Sequence, residues 1–171
     1  MDAKISRQCG DCQLCCRLLP VPPLNKKGGQ RCEHQKFGTG CAVYNSPAMP
    51  SACRVWYCRW IVNDEVTMPR PDRAHYVIDM LPDEMALTND EGQRVVYAAI
   101  QIWVDPAYWV RVMNDKALFK WIEHKADKHG TPAMLRRKPG HAVGVIAPSI
   151  SPTGKWVITE GTINPDMGLW K

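Results

Sequence analysis

Eight cysteines fall between Cys9 and Cys58, and the 113 residues after Cys58 contain none. Cys9, Cys12, Cys15 and Cys16 lie in the run C-G-D-C-Q-L-C-C, and Cys32, Cys41, Cys53 and Cys58 follow. A thiol that gives up its proton becomes a soft ligand, and thiolates at such short spacing mark zinc and iron–sulfur sites. Each C-x2-C pair can fold in a tight turn that points two sulfurs at one ion about 2.3 Å away. Neighbouring side chains point apart, so Cys15 and Cys16 do not both serve one isolated ion. Two arrangements remain open: two sites of four cysteines each, or one shared cluster with the other cysteines in support. Cys9, Cys12 and Cys15 match the first three positions of a bacterial ferredoxin run. The match ends there, because Cys16 comes at once and Arg17 stands where proline belongs. His34, two residues after Cys32, is the one non-sulfur candidate, since imidazole is an ordinary zinc ligand. Zinc is the expected ion, with iron or an iron–sulfur cluster as the alternative.

The pattern extends past the opening run, through Cys32-x-His34, Gly40-Cys41 with Val43-Tyr44, and Pro50-x2-Cys53-Arg54-x-Trp56-x-Cys58-x-Trp60. In order and spacing it resembles the CxxCxxCC (YkgJ-type) cysteine-cluster family, whose members are described as zinc- or iron-chelating domains. The resemblance covers residues 9–60, about a third of the chain. Met49 departs from it, standing where such sequences carry arginine before the proline. Any anion contact of that arginine is therefore not carried over. The resemblance implies metal chelation and no particular reaction. A related cluster in flagellin lysine methylases implies that some of these modules carry an iron–sulfur centre, yet this chain shows no methyl-donor pocket in its sequence.

Composition narrows what such a site can belong to. A chain of 171 residues, 45% hydrophobic and 23% charged, is ordinary globular protein. Its apolar runs fall far short of the roughly 18–20 residues that cross a bilayer, so no membrane is expected. The start, from Met1 to Arg7, carries no apolar signal region. The expected location is therefore the cytoplasm, where thiols stay reduced and serve as metal ligands, not as four disulfides. The net charge of +5 is scattered, apart from Lys26-Lys27 and Arg136-Arg137-Lys138, which read as solvated surface. Without a basic face or interleaved aromatics, nucleic acid is not an expected partner, and a zinc-ribbon-like interaction module ranks behind metal binding. No nucleophile elbow, P-loop, zincin or dinucleotide fingerprint is present. Asp79, Asp83 and Glu84 form a small acidic group, read as a strand end and turn. His75, His124, His129 and His141 fall on predicted strands or helix ends.

The elements that must hold the cysteines change character near residue 62. Residues 1–62 are rich in cysteine, proline and glycine, and Leu19–Pro23 is held extended by its prolines. Such a segment buries too little apolar area to offset its chain entropy, so its folding is expected to depend on a metal staple. Trp56, Tyr57 and Trp60 read as a hydrophobic wall over the site. Residues 63–171 read as regular structure. Strand Ala74–Leu81 is stopped by Pro82, and Met85–Thr88 precedes a turn at Asn89-Asp90-Glu91-Gly92. Strand Arg94–Val104 is apolar on both faces and so belongs mid-sheet. Asp105 caps a helical stretch, Pro106–His129, that is kinked or split near Asn114 and stopped by Gly130. Strands Ala133–Arg137, His141–Ala147 and Trp156–Glu160 follow. The expected fold is α+β: a Cys-rich, metal-stapled N-terminal lobe on a small antiparallel sheet with one long or kinked helix, the two parts forming one compact unit.

Overall fold

The computed structural model describes residues 7–88 and 91–162. Asn89 and Asp90, half of the expected turn, and the start before Arg7 lie outside the described residues.

The first sixty residues form only short elements, as their prolines and glycines dictate. Helix α1 (Leu14–Leu18) ends just before Pro20, and Pro22–Leu24 makes a single 3-10 turn. Strands β1 (Gln35–Lys36) and β2 (Gly40–Cys41) pair as a two-residue hairpin. Helices α2 (Ser51–Val55), α3 (Arg59–Val62) and α4 (Pro71–Ala74) are little more than one turn each.

The chain then becomes regular. Strand β3 (Tyr76–Thr88) pairs antiparallel with β4 (Arg94–Val104). It does not stop at Pro82 as expected. The pairing register slips between Ile78 and Pro82, and a proline is tolerated at such a bulge because the ladder is already interrupted. After β4 the Asp105 carboxylate accepts the Ala107 N–H at 3.3 Å, which is the expected cap. The helical stretch is split into a 3-10 turn at Pro106–Tyr108, α5 (Trp109–Met113) and α6 (Lys116–His129). Asp115, not Asn114, caps α6 by accepting the N–H groups of Ala117 at 2.9 Å and Leu118 at 3.2 Å. Gly130, with φ at +64°, ends it in the left-handed region that glycine adopts freely.

Strands β5 (Ala133–Lys138), β6 (His141–Ile146) and β7 (Val157–Thr162) complete a five-stranded sheet ordered β3-β4-β5-β6-β7. The sheet is mixed, which corrects the antiparallel expectation. β4 and β5 run parallel, with Ile102 opposite Leu135. The helices between them carry the chain back before it re-enters the sheet, and a helical crossover returns a strand parallel. Leu118 and Ile122 of α6 pack fully buried on Ile102, Leu135, Val143 and Val145. β4 is central only in its second half. Arg94, Val96, Tyr97 and Ala98 are exposed because β5 reaches only as far as Ile100.

Asp115 also accepts the Tyr76 hydroxyl at 3.3 Å, so it ties α6 to the start of β3. Asp115→Ala should lower unfolding stability by about 1–2 kcal/mol, the cost of a lost N-cap, measured by urea denaturation.

Candidate metal centre

All eight cysteines are free thiols. All eight, with His34, line one cavity of about 780 Å³ in the N-terminal lobe. Local structure explains how they arrive there. The Cys12 N–H donates to the Cys9 carbonyl at 3.1 Å, closing the first C-x2-C turn. Cys15 and Cys16 both ride on α1, where consecutive side chains diverge by about 100°. The Cys32 N–H donates to the Cys16 carbonyl at 3.1 Å. Gly40 and Cys41 come in on β2, and a Cβ on Gly40 would stand 2.9 Å from the Gly10 carbonyl oxygen, so only glycine allows the hairpin this close. Cys53 sits on α2, and Cys58 forms an isolated backbone bridge with Asp79 of β3.

The thiols divide into two groups of four. Cys9, Cys12, Cys15 and Cys58 face the sheet and also line a second, much smaller pocket of about 10 Å³, walled by Trp60, Ile61, Pro71 and Val77. That volume is about the room one water-sized sphere needs. The same four cysteines belong to a hydrophobic cluster with Leu14, Leu18, Ile61, Val77 and Trp103. Cys16, Cys32, Cys41 and Cys53 line only the larger cavity. The adjacent pair Cys15-Cys16 straddles the two groups: Cys15 lines both pockets and Cys16 only the larger, while the two thiols are hydrogen-bonded to each other.

The electrostatics couple thiols both within and across the two groups. The Cys9 thiol hydrogen-bonds Cys12, which raises Cys9 and lowers Cys12 to about 7 against the opposing effect of burial. Cys15 stands in the same relation to Cys16, which is lowered to about 7 and helped by the Lys26 charge. Burial, then the charge of Cys12, pushes Cys58 up to about 12. Cys53 is raised to about 11 by burial and then by Cys16, Cys32 and Cys41, and Cys41 rises through burial and then Cys16 and Cys32. Thiols crowded in this way cannot all ionise unless a cation joins them.

Lys26 was a surface residue on sequence grounds, and the structure buries it. A left-handed turn at Asn25 lets the chain fold back, and the Lys26 ammonium donates to the Leu19 carbonyl. Burial lowers its pKa, while Cys32, Cys16, Cys15 and Cys53 act to raise it. The residue types gave no sign of this, since the burial depends on the left-handed turn at Asn25 that folds Lys26 back on Leu19.

Asp79 and Asp83 are likewise not a strand end. Both are buried within β3. Asp79 accepts the indole N–H of Trp56 at 2.7 Å, the Gln101 amide at 2.9 Å and the Trp103 indole at 3.3 Å. Asp83 pairs with buried Arg136, whose guanidinium lies 4.7 Å from the Trp103 ring centre, so Arg136 too is not solvated surface. Further ties run from Arg7 to the carbonyls of Trp60 and Val66, at 3.0 and 2.7 Å, and from Arg70 to Asp11 at 2.8 Å. Of the expected aromatic wall, Trp56 and Trp60 pack on the cysteine cluster and Tyr57 lines the large cavity. His75 stacks on Tyr108 at 3.5 Å and takes no part in the cysteine site.

Among the described residues, no three His, Cys, Asp or Glu side chains converge closely enough to hold an ion as they stand. The donor set nevertheless suits a soft ion, because soft thiolates are its only ligands apart from His34. No described helix is long and apolar enough to cross a membrane. No family model, curated protein or solved structure matches the chain.

Trp56→Phe keeps the ring but removes its bond to Asp79. The lobe should then be cleaved faster by trypsin than in the parent protein, at Arg54 and Arg59, while the unfolding free energy of the β-sheet stays within about 1 kcal/mol of the parent's.

Proposed function

We propose that this protein binds metal ions through its eight cysteine thiolates, with zinc the favoured ion, held at two four-cysteine sites that staple the N-terminal lobe. The observation that carries this reading is the meeting of all eight free thiols around one cavity, divided into two groups of four. Closing each group on an ion requires the sulfurs to move inward, which is the coupling of metal binding to local folding expected of a lobe with so little core. Four thiolates saturate a zinc ion and leave no open position, so the role is structural, storage or sensing, not hydrolytic. The resemblance of residues 9–60 to zinc- or iron-chelating cysteine-cluster domains points the same way.

One observation favours an iron–sulfur centre as a second reading. Cys58 lies beside Cys9, Cys12 and Cys15, so three thiols at C-x2-C-x2-C spacing meet a distant fourth. Ferredoxin clusters are bound by such a set, because the fourth cysteine of their run serves the other cluster. The small pocket behind these thiols has room for a single ion more readily than for a cluster, and zinc is preferred on that account.

Metal and sulfide analysis of anaerobically purified protein separates the two. The expected result is colourless protein with about two zinc ions per chain, four thiolates to each. Iron with acid-labile sulfide and visible absorbance would establish the second reading, and protein that takes up neither metal would refute both. Cys58→Ser should lose about one metal equivalent and leave the lobe open to proteolysis, whereas His34→Ala should keep both equivalents.

A further inference from the structure

We infer that the two groups of thiols differ in permanence: Cys16, Cys32, Cys41 and Cys53 form an exchangeable site that passes its ion to competing thiols, while Cys9, Cys12, Cys15 and Cys58 keep theirs. This rests on the metal-binding reading and assigns the two sites separate tasks.

The inner thiols belong to a hydrophobic cluster continuous with the sheet. Cys12 and Cys58 are 7% and 6% exposed, and Val77 and Trp103 of β3 and β4 close over them. Reaching an ion there requires opening the contact between lobe and sheet, which the Trp56–Asp79 bond also holds shut. Of the outer thiols, Cys32 is buried and Cys16 rides on α1, but none belongs to a hydrophobic cluster among the described residues, and the other two sit on short, poorly buried elements. Cys41 lies on a two-residue strand and Cys53 on a five-residue helix with no buried residue. Both thiol residues are partly exposed, and the cavity wall beside them includes the exposed Thr39, Tyr44, Asn45 and Arg54. Segments with so few buried contacts open locally at low free-energy cost, without unfolding the rest.

Exchange at such a site is ligand substitution. An incoming thiolate forms a bond to the ion as a cysteine thiolate leaves, the freed thiolate takes a proton from water, and the step repeats until the ion departs. No electrons are transferred, so no oxidant or reductant is needed. The natural acceptor is another thiolate-rich protein or small thiol.

The test loads the full chain with zinc, confirms the stoichiometry, and adds an excess of the chromogenic chelator 4-(2-pyridylazo)resorcinol. The expected result is release in two phases of one equivalent each, the first at least about tenfold faster than the second. In Cys53→Ser and in Cys41→Ser the fast equivalent should vanish and the slow one persist. Two equivalents leaving together, or a fast phase that survives both substitutions, would overturn the inference while leaving metal binding intact. A chain that takes up no zinc would overturn both.

Discussion

Asp79 stands on β3 with both carboxylate oxygens engaged, one by the Trp56 indole of the cysteine lobe and the other by Gln101 and Trp103 of β4. A carboxylate this buried costs several kcal/mol unless its oxygens are satisfied. The donors come from elements far apart in the chain, so satisfying it requires the lobe to sit on the sheet in one orientation. The backbone bridge between Asp79 and Cys58 then fixes where the last cysteine lies. The pocket behind Cys9, Cys12, Cys15 and Cys58 follows from that placement, because its far wall includes Val77 on the same strand. Arg136 lies on β5, one strand beyond β4, against Trp103 and Asp83, and completes a buried polar patch beneath the lobe.

Above that patch the governing constraint is repulsion. Within each hydrogen-bonded pair, Cys9 with Cys12 and Cys15 with Cys16, one thiol is drawn toward ionisation at the expense of the other. Burial and neighbouring charge hold Cys53 and Cys58 strongly to the protonated form. Lys26 offers one positive charge on the outer side, itself destabilised by burial. The balance is that of a site whose protein charges are incomplete alone, and a divalent ion is the kind of group that completes it. On the proposed reading, metal supplies charge compensation and chain constraint together.

The lobe also grades from rigid to open. Its inner face shares a hydrophobic cluster with the sheet, while its outer face is built from a two-residue hairpin and a helix that buries nothing. Local stability follows buried contacts, so two thiol groups with the same chemistry experience different mechanical settings. On the proposed metal-binding reading, separate duties for the two groups would follow from that difference.

Signals that act over a few residues were legible in the chain itself. Asp105 and Gly130 bound the helical stretch, and the bounds of β4 follow from its β-branched run. A cap or a turn is decided by hydrogen bonds within one or two helical turns, which is why a reading of residues succeeds there. The parallel entry of β5, the passage of β3 through Pro82, and the burial of Lys26, Asp79, Asp83 and Arg136 were not legible. Lys26 depends on the left-handed turn at Asn25 and the Leu19 carbonyl, and the others on partners distant in the chain, which no local pattern encodes. The cysteines show both sides of this division. Their number and their softness were determined by the sequence alone. That Cys58 joins Cys9, Cys12 and Cys15, and that Cys53 comes near Cys16, Cys32 and Cys41, was decided only by the tertiary structure, because a buried carboxylate and a shared hydrophobic cluster set the lobe on its sheet.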